Sequence, residues 1–312
     1  MNASPTIATE PNRADAITTP LRESFVSTNG VSLHVVEAGP VDGPPVILLH
    51  GFPEFWYGWR RQIDALAGAG FRVVIPDQRG YNTSDKPRGT AAYNIDLLAA
   101  DVIGLIDHLG VEQAAVVGHD WGAAVTWWAA MRHPSRIERA AVLNVPHPVV
   151  MRRELKSNFR QLRKSWYMFF FQIPWLPEAL LTRNRCQPLL DSLVKTSRAG
   201  AFTPDDLEKY RAAFTQPGAV TAMINWYRAM MRSKTAHIES VRIKVPMLML
   251  WGALDPFLGR ELGQPSLDLC DHGRLEFFEQ ATHWVQHEEP AGINAALLQY
   301  LQAPLPAAAH LS

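Results

Sequence analysis

Cysteine is scarce in this chain of 312 residues: Cys186 and Cys270 are the only two, and neither stands in a CxxC spacing. That argues against a disulfide framework and a zinc site, and points to a reducing cytoplasm. Net charge is missing as well. Thirty lysines and arginines balance thirty aspartates and glutamates, so the chain-wide balance calls for no nucleic acid, no anionic membrane and no acidic substrate. No long hydrophobic run is present. The greasiest stretch, Trp166 to Leu181, is broken by Gln172, Pro174, Pro177 and Glu178 and is too short to cross a bilayer. Residues 1–20 lack the apolar core of a secretory signal and read as a flexible leader rich in Ser, Thr, Pro and Asn. There is no internal repeat.

What is present is a globular composition, 47% hydrophobic and 19% charged, on a chain long enough to bury a sizeable core. Asn29-Gly30 between Ser24–Ser27 and Val31–Glu37 is a two-residue hairpin signal. Short apolar runs follow at Val46–Leu49, Arg72–Pro76, Ala114–Gly118, Ala140–Asn144, Met247–Gly252 and Arg274–Phe278. Such runs suit strands buried on both faces of a parallel sheet. Helical patterns lie between them, at Trp56–Ala69, Ile95–Leu109, Trp121–His133 and Pro290–Leu301. The alternation predicts an α/β fold with a mostly parallel, doubly wound sheet and a site beyond the strand carboxyl ends. It stops between Pro148 and Ser240, where Arg, Trp, Phe, Tyr and Leu recur at helical spacing without a clear strand. The predicted division is therefore a core of residues 21–147 and 241–304, an inserted helical cap of 148–240, and a tail of 305–312.

The stretch around which the chain is organised is Gly118-His119-Asp120-Trp121-Gly122. An apolar β-branched run precedes it and an Ala/Trp-rich helical pattern follows. Small residues two before and two after the centre let a strand–turn–helix elbow close and hold Asp120 above the sheet edge. A carboxylate is already ionised at neutral pH and attacks sp³ carbon to leave an alkyl ester. Clearing that ester needs a His as general base and an acid to orient it. On this kind of sheet the acid and then the His follow the elbow on strand-end loops. Asp255 in Leu250-Trp251-Gly252-Ala253-Leu254-Asp255-Pro256 and His283 in Ala281-Thr282-His283-Trp284 fit that order. His272 and Asp271 fall in a turn, and His287-Glu288-Glu289 reads as a solvated charged face. Backbone N–H groups of Phe52 and Trp121 are the available donors for an oxyanion; Pro53 has none.

These residues resemble the α/β-hydrolase-fold epoxide hydrolases from about Phe25 to Gln302. The resemblance rests on His50-Gly51-Phe52-Pro53, Asp77-Gln78-Arg79-Gly80-Tyr81, the elbow with Ala123, and Gly252 to Asp255 followed by His283-Trp284. It implies a cofactor-independent hydrolase acting on a small apolar epoxide with water, and two cap tyrosines that hold the epoxide oxygen. Tyr167 in Ser165-Trp166-Tyr167-Met168 and Tyr227 in Asn225-Trp226-Tyr227-Arg228 match those positions. Phe52, His119 and Trp121 would line the substrate, and a homodimer is compatible with the resemblance. Two relatives share the Asp nucleophile. Many haloalkane dehalogenases place Asn where this chain has Phe52, and haloacetate dehalogenases follow the nucleophile with Arg where this chain has Trp121. A non-catalytic small-molecule receptor on the same fold is the remaining alternative, since fold alone does not specify catalysis.

Overall fold

The structure, a computed structural model, describes residues 16–306. Its centre is an eight-stranded sheet. The strands are β1 (Arg22–Thr28), β2 (Val31–Ala38), β3 (Pro45–Leu49), β4 (Arg72–Pro76), β5 (Ala114–His119), β6 (Ile137–Leu143), β7 (Met247–Gly252) and β8 (Gly273–Phe278). They lie in the order β1-β2-β4-β3-β5-β6-β7-β8. β1 and β2 form the hairpin predicted at Asn29-Gly30 and join β4 antiparallel; every later pairing is parallel. Chain order reverses between β3 and β5, which run side by side and are the switch point at which such sheets place their ligands.

Helices α1 (Arg60–Gly68), α2 (Ile95–His108) and α3 (Trp121–Arg132) follow β3, β4 and the elbow. Asn94 caps α2 by accepting from the Asp96 N–H. Strand residues alternate between two apolar clusters, one on each face: Ile47, Leu49 and Val116 in the first, Val46, Leu48, Ala115 and Val117 in the second. Each fully buried Val, Leu or Ile contributes about 1.5–3 kcal/mol relative to exposure. That two-sided burial is why the strands read as continuous apolar runs.

Between β6 and β7 come seven helices: α4 (Pro148–Ser157), α5 (Phe159–Lys164), α6 (Trp166–Phe170), α7 (Leu176–Leu181), α8 (Arg183–Thr196), α9 (Pro204–Phe214) and α10 (Ala219–Arg232). α11 (Gly263–Leu267), α12 (Val285–Glu288) and α13 (Pro290–Gln302) complete the chain. Among the described residues no helix is long and apolar enough to cross a membrane. Residues 1–15 of the expected leader and 307–312 of the expected tail lie outside the described residues. The leader's end is anchored: the Thr18 N–H and hydroxyl donate to Asp64 Oδ2 at 2.9 and 2.8 Å, and the Thr19 N–H donates to Oδ1 at 2.9 Å.

Two boundaries differ from expectation for local reasons. The helix expected over 56–69 opens as a separate 3₁₀ turn, Trp56–Trp59, because the Trp56 N–H is drawn to Asp77 Oδ1 at 2.8 Å. β6 begins at Ile137 and stops before Asn144, whose backbone turns to φ 59° while its side chain bridges two loops.

The elbow depends on a close approach at Gly122. A Cβ there would stand 2.1 Å from the Leu49 carbonyl oxygen, so any side chain pushes α3 away from β3. Gly122→Ala is expected to cost about 1–3 kcal/mol of stability, read as a lowered midpoint in urea. An unchanged midpoint would show that the elbow relaxes freely.

Candidate active site

Asp120 joins β5 to α3 with φ 49° and ψ −121°, an unfavourable backbone for a side chain other than glycine. The surrounding packing enforces it. Gly51, in the loop after β3, lies so near that a Cβ would be 2.2 Å from Asp120 Cβ. The carboxylate sits at the amino end of α3, where the helix dipole favours negative charge. Its Oδ1 accepts from the Phe52 N–H at 2.7 Å. Its Oδ2 faces His283 Nε2 at 3.5 Å. The Trp121 N–H, first in α3, has no hydrogen-bond partner among the described residues and is aimed as unpaired first-turn amides are.

His283 Nδ1 lies 2.7 Å from Asp255 Oδ2, which fixes Nδ1–H as the donor and leaves Nε2 toward Asp120. Asp255 is itself held on every side. Its Oδ1 accepts from the N–H groups of Phe257 and Leu258 at 2.6 and 2.9 Å, and Asn144 Nδ2 donates to Oδ2 at 2.7 Å. Asn144 also accepts from the Gly252 N–H at 3.0 Å, so it ties the end of β6 to the end of β7. Sequence reasoning missed Asn144; its place after a strand carboxyl end was the available signal.

Burial opposes ionisation of Asp255, but the His283 charge and the hydrogen bonds from His283, Leu258 and Asn144 outweigh it and lower its pKa. Burial also opposes protonation of His283. The Asp255 charge, hydrogen bonds to Asp120 and Asp255, and the Asp120 charge prevail and raise it to about 10. Because the folded value exceeds the unfolded one, this imidazolium stabilises the fold fully below about 6.5, and the contribution is lost as pH rises through about 10.

Tyr167 in α6 and Tyr227 in α10 meet over this carboxylate. Their rings are 5.8 Å apart, edge to face. Tyr227 packs edge-on against Phe52 and Trp121 at 5.3 and 5.0 Å, and Tyr167 against Phe257 at 5.6 Å. Phe171 closes the ring of aromatics, 4.9 Å from Tyr227 and 5.5 Å from Phe52. Burial pushes both phenols up, and the Asp120 charge pushes them further, so both stay protonated at neutral pH. Residues widely spaced in sequence thus gather at one point: Phe52, Asp120, Trp121, Tyr167, Tyr227, Asp255 and His283.

Known proteins share this fold. The sequence pattern of the alpha/beta hydrolase fold matches residues 44–290. The AB hydrolase superfamily protein YfhM of Bacillus subtilis is 47% identical, the match covering 89% of this chain and 97% of that protein. Epoxide hydrolase A of Mycobacterium tuberculosis is 36% identical over 89% of this chain and 97% of its own. The crystal structure of Bacillus megaterium epoxide hydrolase with an inhibitor superposes with a TM-score of 0.82 at 32% identity, covering 90% of this chain and all of that one. The chain belongs to the α/β-hydrolase-fold epoxide hydrolase family.

Two expectations for this hydrolase need correction. His119 does not line the substrate site. It is buried, Nε2–H donates to the His283 carbonyl at 2.8 Å, and Nδ1 lies 3.0 Å from Gln286 Nε2 and 3.1 Å from Glu54 Oε2. With both ring nitrogens engaged, it supports the His283 turn from behind. His287-Glu288 is likewise not a solvated face, because α12 folds back under that turn and buries both residues. His287 Nε2–H donates to Glu54 Oε1 at 2.7 Å while Arg60 donates to Nδ1 at 2.9 Å, and burial lowers the His287 pKa to about 4. Glu288 accepts from the Thr282 N–H and hydroxyl, both at 2.6 Å. The Tyr210 hydroxyl of α9 also donates to Glu54, at 2.7 Å, joining the helical insert to this buried cluster.

Asp120→Asn removes one of the two carboxylate charges that raise His283. Its imidazole is expected to titrate well below about 10 in that variant, followed by the ring-nitrogen NMR shifts. An unchanged titration would mean that Asp255 alone sets the value.

Proposed function

We propose that the hydrolase converts apolar epoxides to vicinal diols through an alkyl ester on Asp120. The observation carrying this reading is the meeting of one carboxylate with three differently equipped partners: a backbone donor, a carboxylate-backed His and a pair of tyrosines. In this reading residues 148–240 act as the cap over a core of 21–147 and 241–304.

Oδ1 of Asp120 is occupied by the Phe52 N–H, so Oδ2 is the attacking oxygen. It bonds to a ring carbon as the carbon–oxygen bond of the epoxide breaks, and the departing oxygen takes a proton from Tyr167 or Tyr227. A positioned acid of this kind contributes on the order of 10²- to 10⁴-fold. The attack consumes the negative charge of Asp120. One of the contributions holding His283 protonated therefore disappears when the ester forms, and the same loss makes the phenols more acidic as they are needed. With that charge gone the His283 imidazolium gives up its proton, and a proton from solvent restores the phenol that protonated the epoxide oxygen; the neutral imidazole then takes a proton from water, which adds to the ester carbonyl. The oxyanion on Oδ1 is met by the N–H groups of Phe52 and Trp121, the loss of either costing on the order of 3 kcal/mol. Collapse returns the proton from His283 to the leaving diol oxygen. The former Oδ2 departs with the product, and a water oxygen replaces it in Asp120.

The tyrosines distinguish this chemistry from dehalogenation. A halide leaves without a proton, whereas an alkoxide needs one. A receptor would need neither His283 nor its acid.

In a single turnover in heavy-oxygen water, the label should enter Asp120 and be absent from the first diol; label in that diol would exclude the ester. His283→Gln should accumulate protein heavier by one substrate mass, seen by intact mass spectrometry. An inactive variant of unchanged mass would remove His283 from the hydrolytic step. Tyr167→Phe and Tyr227→Phe should each slow ester formation, and the double variant should lose roughly 10²- to 10⁴-fold. Unimpaired diol formation would return both to a packing role.

A further inference from the structure

Helix α5 and helix α6 follow one another across Ser165 and behave as a single amphipathic run. Gln161, Ser165, Met168 and Phe171 are buried against the rest of the protein. On the opposite side, at the same helical spacing, stand Phe159, Arg163, Trp166, Phe169 and Ile173, all exposed. An outer helix face is normally polar. Here Phe159 is 78% exposed, Trp166 63% and, just beyond, Trp175 82%. Of the large apolar side chains exposed on the described surface, those of 159–176 form the densest group in sequence.

Charge is gathered in the same segment. Residues 148–185 contain eight lysines and arginines against two glutamates, in a chain whose net charge is zero. Both glutamates are occupied: Glu154 by Arg153 at 3.2 Å, and Glu178 by Arg228 at 2.5 and 3.0 Å. Arg152, Lys156, Arg160 and Arg163 are exposed and form no salt bridge among the described residues.

We infer that the outer face of α5 and α6 docks this enzyme on an anionic lipid surface. Exposed Trp and Phe flanked by unpaired Arg and Lys are the chemistry that enters the headgroup boundary of a negatively charged leaflet. A second copy of the chain fits poorly, since a two-fold contact would set this excess positive charge against itself. The apolar stripe is too short to insert as a span, so the contact is peripheral and reversible. The whole-chain charge balance hid this partner, because it averages a cationic face against acidic residues elsewhere. Tyr167 lies between Trp166 and Phe169 on the inner side of the docked helix. If the substrate is an apolar epoxide, which rests on the proposed reaction, docking would open the site beside the phase in which that substrate concentrates.

The test is co-sedimentation of the full chain with phosphatidylglycerol–phosphatidylcholine vesicles and with pure phosphatidylcholine vesicles, alongside diol formation from a water-soluble epoxide without vesicles. Binding is expected to the anionic vesicles only and to weaken as salt is raised. Arg160→Gln with Arg163→Gln should weaken it on the order of 30-fold, at about 1 kcal/mol for each cation. Phe159→Ser should also weaken it, and both variants should keep diol formation. No binding to the anionic vesicles, equal binding to both kinds, or binding indifferent to these substitutions would overturn the inference. So would a dimer in sedimentation velocity that Phe159→Ser dissolves, which would assign the face to a second copy. Diol formation is scored separately, so failure to dock leaves the proposed reaction standing, and failure of the reaction leaves docking standing.

Discussion

The electrostatic coupling between Asp120 and the groups facing it is the interaction on which the rest of the site depends. One carboxylate charge raises the pKa of His283 and of both tyrosines. Burial is the larger cause for the two phenols and the Asp255 charge for His283, and the Asp120 charge adds to each. In the proposed reaction the same charge vanishes when the ester forms, so a single bond-making event changes the proton affinity of all three. No movement of a side chain is required. Tyr227 and His283 are buried and Tyr167 is half-buried among aromatics, where charges are poorly screened.

Holding that charge in place constrains the backbone on both sides of the switch point. β3 and β5 run parallel and adjacent, so the loop leaving one delivers the Phe52 N–H to the carboxylate leaving the other. The positive-φ conformation of Asp120 is a strained arrangement, compensated by packing that leaves no room for a side chain at Gly51 or Gly122. The acid and the His come from β7 and β8, and Asn144 at the end of β6 locks their register. Three consecutive strand ends are therefore tied together by side chains, which accounts for the abrupt stop of β6.

Beneath the reacting groups lies a second polar cluster that takes no part in the proposed steps. Glu54, His119, His287 and Gln286 brace the His283 turn, and Tyr210 and Asp206 of α9 carry the same network into the helical insert, the latter through Arg60 at 3.0 Å. A buried carboxylate is costly unless its lone pairs are satisfied, and Glu54 has four partners. The helical insert is thus braced to the rest of the chain through α9 by these polar contacts.

The sequence by itself determined the fold class, the elbow and the order of Asp120, Asp255 and His283, because these are local matters. Strand burial on both faces writes continuous apolar runs, a tight turn writes small residues around its centre, and a strand-end loop writes its polar residue directly after the run. Phe52 was legible for the same reason, since only its N–H precedes Pro53. Tyr167 and Tyr227 were legible only through resemblance, as an aromatic stripe looks the same whether it packs a core or faces a substrate. Only the tertiary structure decided the fates of His119, His287 and Asn144. A histidine one residue from the elbow aspartate, or within a charged run, carries no mark of which way it points. Its direction is set by Glu54, 65 residues from His119 and 233 from His287, and the charge that satisfies a buried polar group can come from any distance along the chain.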